Sequence, residues 1–207
     1  MDRMTVPAGM DRAEIGIRIP NMKLGMWVFL LSEVMFFTAL IGSYILLRSA
    51  RPEAFAAPGE VLNVPLTAFN TFVLICSSMT MVKAFAAIEH GDQKGLKRWL
   101  LATVLLGAFF LGVQAYEYYK LASHGFVPLA EAYHAAGEPL YGATFYTLTG
   151  FHGAHVTLGV LAMIWITIRA FRGRYTQGSH TGVETMGLYW HFVDLVWIIL
   201  FTIVYLI

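Results

Sequence analysis

The chain has 207 residues, 57% of them hydrophobic and 13% charged, with a mean hydropathy of +0.62. That composition is too apolar for a water-soluble domain, and the length is too short for two membrane domains, so a single polytopic all-α membrane domain is predicted. Fourteen basic and thirteen acidic residues leave a net charge of +1 without any basic tract suited to phosphate backbones, which excludes nucleic acid as a partner. Cys76 stands alone inside an apolar run, so neither an intrachain disulfide nor a cysteine metal motif is expected.

Residues 1–22 form a mixed-charge tail with no short apolar core and cleavage site, and the first helix is expected to act as the insertion signal. The rest, 23–207, is read as a five-helix transmembrane domain. In the first span, residues 24–47 at about 1.5 Å per residue make roughly 36 Å of helix, enough to cross a bilayer. This run is broken by one carboxylate, Glu33, close to mid-bilayer, where an ionisable group costs at least about 2.5 kcal/mol. Gly25, Ser32 and Ala39, seven apart, are expected to let another helix approach beside it, with Phe29, Phe36, Phe37 and Leu40 on the face of Glu33.

Pro52, Pro58 and Pro65 break the chain before a second span over 66–88, whose Thr67, Asn70, Thr71, Ser77, Ser78 and Thr80 read as interhelical hydrogen-bonding residues. A third span over 99–119 carries Gln114 and Glu117, three apart on one face at its outer end, among Tyr116, Tyr118 and Tyr119. A polar loop with room for a short surface helix leads to a fourth span over 142–168, and the fifth is expected over 185–207. Eleven of the fourteen basic residues fall on the side of the N-terminal tail and three (Arg48, Arg51, Lys120) on the other, which predicts a cytoplasmic N-terminus and an external C-terminus.

Five ionisable residues lie within the predicted spans: Glu33, His152, His155, His191 and Asp194. Counted from the span ends they share a layer of the membrane, and His152 with His155, like His191 with Asp194, are spaced to leave one helix face. Three readings stay open: satisfied polar contacts that fix helix packing, a metal or haem site, and a site that handles protons. The metal reading lacks support in the spacing, since HGAH has no glutamate of an HExxH motif and no CxxCH is present.

Taken together, KLGMWVFLLSEVMFF, LGVQAYEYY, YGATFYTLTGFHGAHVTLG and YWHFVDLVWIILF closely resemble, in order, subunit III of the haem-copper respiratory oxidases, across 23–207. The resemblance implies an accessory subunit, without a catalytic or metal centre, of a terminal oxidase that reduces oxygen to water and pumps protons. Haem and copper would belong to partner subunits I and II, with a small subunit IV and membrane lipids as further partners, in a bacterial cell membrane. By the same resemblance Glu33 matches a buried carboxylate connected with proton uptake, while His152, His155, His191 and Asp194 take a structural role. The long form of the family has seven spans; five resemble the shorter bacterial subunits, and the flanks of Glu33 resemble the cytochrome c branch more than the quinol branch. A quinol oxidase subunit is the alternative, and a free-standing membrane enzyme or ion carrier using the Glu33, His and Asp layer is the rival from another class.

Overall fold

The computed structural model describes residues 21–55, 61–123 and 139–207. Among them lie five helices long and apolar enough to cross a membrane and no strand: α1 (Asn21–Ala50), α2 (Val64–Glu89), α3 (Gln93–Ser123), α4 (Pro139–Phe171) and α5 (Thr181–Phe201), the last prolonged by a π-helical turn, Thr202–Leu206. The first four helices overrun their predicted spans at both ends and α5 at its start, because hydropathy marks only the hydrocarbon core while the backbone goes on pairing with itself through the headgroup layer. The first 20 residues, Pro58 and the surface helix expected before α4 lie outside the described residues.

Local chemistry sets the ends. Asn63 caps α2 by accepting the Leu66 N–H at 3.2 Å, with Pro65 in the first turn where a missing N–H costs nothing. The loop expected between α2 and α3 contracts to a tight turn: Gly91 takes a φ of +76°, open to glycine at little cost. The Asp92 carboxylate then accepts the N–H groups of Lys94 and Gly95 at 3.1 and 2.9 Å, starting α3 six residues before the predicted Trp99.

Four helices close a ring, with α2 against α3, α3 against α4, α4 against α5 and α5 back against α2; α1 lies outside it, along α5 and α4. The polar residues of α2 work as interhelical bonds, all six of them. Thr67 donates to Glu117, Asn70 to the Phe110 carbonyl, Ser78 bonds His191, Thr80 bonds Thr103, and Ser77 and Thr71 accept the indole N–H groups of Trp190 and Trp197. Such bonds contribute about 0.6 kcal/mol each in a membrane and direct which helices pair. The two tryptophans, seven apart on α5, are nearly wholly buried and fill the ring. Trp190 fits because Gly107 of α3 and Gly159 of α4 face it; a Cβ on either would stand 2.9 Å from the indole. Leu, Phe, Ile and Met side chains cover the outside, as they must where lipid replaces water.

The outer helix is joined sparingly. Leu30, Phe37 and Tyr44, seven apart, are its buried residues. At one end Lys23 pairs with Glu184 of α5, and at the other Arg48 donates to the Ile207 carbonyl oxygen at 2.7 Å. Gly25, Ser32 and Ala39, expected to admit a neighbouring helix, instead lie on the opposite, exposed side, and a Cβ at Gly25 would meet nothing within 4 Å. They sit two residues on from the buried heptad, hence about 200° around the helix.

Candidate functional site

The five membrane-embedded ionisable residues separate into three environments. Glu33 of α1 meets His155 of α4, with Nε2 and Oε2 3.0 Å apart. The His155 Nδ1 lies 2.7 Å from the Phe151 carbonyl, an oxygen that can only accept, so Nδ1 carries a hydrogen. One more proton then sits between Nε2 and the carboxyl oxygen, whether the pair is written as imidazolium and carboxylate or as imidazole and carboxylic acid. In both forms the pair is neutral overall, which removes most of the cost of placing a carboxyl group at mid-bilayer. The aromatic side chains on the Glu33 face enclose it: Phe37 stands edge-on to the His155 ring at 5.2 Å, Phe36 packs on Phe151 at 5.1 Å, and the Tyr189 hydroxyl donates to the His155 carbonyl. The enclosure is incomplete, leaving the Glu33 and His155 side chains 16% and 15% exposed.

The second environment lies between α2 and α5. There the Ser78 hydroxyl is 2.6 Å from His191 Nδ1, while the Asp194 Oδ1 is buried with no hydrogen-bond partner. His152 occupies the third, inside the ring. It is fully buried, stacked on Trp197 at 4.8 Å and edge-on to Phe110 at 6.2 Å, with neither ring nitrogen bonded to a protein group. Its i, i+3 spacing to His155 corresponds to about 60° around α4, enough to turn the two rings towards different neighbours.

Gln114 and Glu117, three apart near the end of α3, are both buried in the ring. Glu117 accepts from the hydroxyls of Thr67 at 2.9 Å and Tyr205 at 3.3 Å, and Gln114 donates to the Thr149 carbonyl while lying against Gly153. Tyr116 and Tyr119 do remain exposed, while Tyr118 turns inward to bond Thr149 at 2.6 Å. Sequence spacing alone missed Tyr189, Trp197 and Tyr205 as partners of these groups; at i, i+8 and i+16 they fall about 80° apart in turn around the helix, so no shared face marked them. Among the described residues no cluster of three His, Cys, Asp or Glu side chains is arranged to hold a metal ion.

What this arrangement can do chemically is hold a proton at Glu33 and His155 and tie five helices together through buried polar bonds. Comparison with known proteins adds the context. The family described as cytochrome c oxidase subunit III matches residues 17–207. A probable cytochrome c oxidase subunit 3 of Mycobacterium tuberculosis (strain ATCC 25618 / H37Rv) is 40% identical over 210 residues, covering 99% of this chain and 100% of its own. Cytochrome c oxidase subunit 3 of Corynebacterium diphtheriae is 39% identical over 91% of this chain and 89% of its own, and that of Synechocystis sp. is 39% identical over 90% and 76%. The long sequence matches, the five membrane-spanning helices and the relatives agree: this chain belongs to the cytochrome c oxidase subunit III family.

Proposed function

We propose that this chain is the non-redox third subunit of a proton-pumping cytochrome c oxidase, steadying subunit I and assisting proton uptake through Glu33. Subunit II and a small subunit IV complete the complex, which holds haem and copper outside this chain. The N-terminus lies in the cytoplasm, in keeping with the eleven-to-three distribution of basic residues. The observation that carries the reading is the Glu33 and His155 pair, 3.0 Å apart across α1 and α4, with side chains 16% and 15% exposed. A purely structural carboxyl group would be better served by full enclosure, as Glu117 is.

Purification of the chain through an affinity tag tests the assignment. Co-purification of haem- and copper-containing subunits in fixed ratio is the expected result. An active single chain with its own metal would overturn it, and so would a Soret band that survives removal of the other subunits.

A further inference from the structure

A groove lies away from α1, between α3 and α4. Lys94, Lys97, Leu101 and Val104 follow one another along one face of α3, and Ile164, Ile168 and Phe171 along the facing side of α4. Two adjoining recesses share Leu101 and Phe171 as walls. One runs down between Val104, Ile164 and Ile168 and is apolar; the other is bordered by Lys94, Lys97 and Arg98, with Arg172 at the head of the first. Leu101, Ile168 and Phe171 are among the exposed apolar side chains, and the ammonium of Lys97 lies 5.6 Å over the Phe171 ring, so the cations of α3 reach the end of α4.

None of the four cations is ion-paired with a carboxylate among the described residues. The nearest acid in sequence, Asp92, already accepts two backbone N–H groups. Three like charges around one recess and a fourth at the adjoining one repel one another, and an anion placed among them relieves that repulsion. Below the cations the walls are hydrocarbon apart from Thr167, whose hydroxyl donates to the Met163 carbonyl. Charge at the headgroup level above an apolar channel is the complement of a phospholipid with net negative charge.

We propose that this groove binds an anionic diacyl phospholipid, its phosphate among Lys94, Lys97, Arg98 and Arg172 and an acyl chain along Leu101, Val104 and Ile164. The inference deepens the membrane-lipid partnership of the subunit; only the identity of the leaflet, cytoplasmic, rests on the orientation proposed above. Each basic side chain at a membrane surface contributes about 1 kcal/mol towards anionic lipid, roughly a fivefold preference, so a site with four of them should enrich it by more than about tenfold.

The full chain, purified with whatever subunits accompany it and carrying Phe171→p-benzoylphenylalanine, is reconstituted in vesicles of four parts phosphatidylcholine to one part phosphatidylglycerol and irradiated, and the adduct is identified by mass. A ratio of phosphatidylglycerol to phosphatidylcholine adducts more than about tenfold above the bulk ratio is expected. Combining Lys94→Gln, Lys97→Gln, Arg98→Gln and Arg172→Gln should bring the adducts back to the bulk ratio, while Lys94→Arg with Lys97→Arg keeps the enrichment. Adducts at the bulk ratio in the parent, a polypeptide adduct, enrichment that survives neutralisation, or its loss in the arginine variant would each overturn the proposal. Because the readout is lipid chemistry at one residue, it is independent of whether the complex proves to be an oxidase.

Discussion

At Glu33 packing and proton handling make different claims, and substitution separates them. Gln keeps the shape and can donate an amide hydrogen to His155 Nε2, so Glu33→Gln is expected to assemble with full haem content. It lacks the shared proton. Oxidase activity should then fall more steeply with rising pH than in wild type, where protons are scarce, or inactivate faster in turnover; identical pH profiles and inactivation rates would leave Glu33 as packing alone. Glu33→Ala strips His155 of its partner and opens a void, at a cost of about 1–3 kcal/mol, and should lower the thermal stability of the complex as well. That Glu33 needed a partner was legible from one carboxylate in an apolar helix; which histidine would serve was not. His152 and His155 differ by one face of α4, and only the position of α1 between α4 and α5 decides that His155 meets the carboxyl group.

Between elements, the bonds from α2 and the seating of Trp190 decide which helices pair. Ser77→Ala leaves the Trp190 N–H buried without an acceptor and is expected to cost on the order of 1 kcal/mol, seen as a lowered midpoint in thermal unfolding of the purified complex. Gly107→Leu forces a side chain into the volume of the Trp190 indole, which is held on its other side by α4, and should cost more, about 1–3 kcal/mol, with loss of assembled complex in membranes. The hydroxyl-rich pattern of α2 could be read in advance because Ser, Thr and Asn in an apolar span have few other uses. The stripe of Gly25, Ser32 and Ala39 misled for the converse reason. Lipid is as apolar as the interior of the bundle, so hydropathy does not say which side of α1 faces its neighbours, and Leu30, Phe37 and Tyr44 offered a second seam of the same period.

On the scale of the molecule, five spans and an all-helical fold followed from length and hydropathy, since a bilayer allows little else. The burial of Glu117 did not, because its partners Thr67 and Tyr205 lie 50 and 88 residues away in sequence. Orientation is tested by reporter fusions: at Gly91 and Gly178 they should report the cytoplasm, and at Gly59 and Gly137 the outside, with any inverted pair showing the topology to be wrong. Metal analysis of the separated subunit should find no stoichiometric haem, copper or iron.

The attachment of α1 also sets an order in time. Its end contacts reach partners 161 and 159 residues further on, and Glu33 bonds a histidine 122 residues later. At about 5–20 residues per second, roughly 6–24 s of translation separate Glu33 from His155. Throughout that interval α1 carries a carboxyl group whose partner has not yet been made, so its early residence in the membrane depends on the insertion machinery, and it is locked in place only once α4 and α5 have followed.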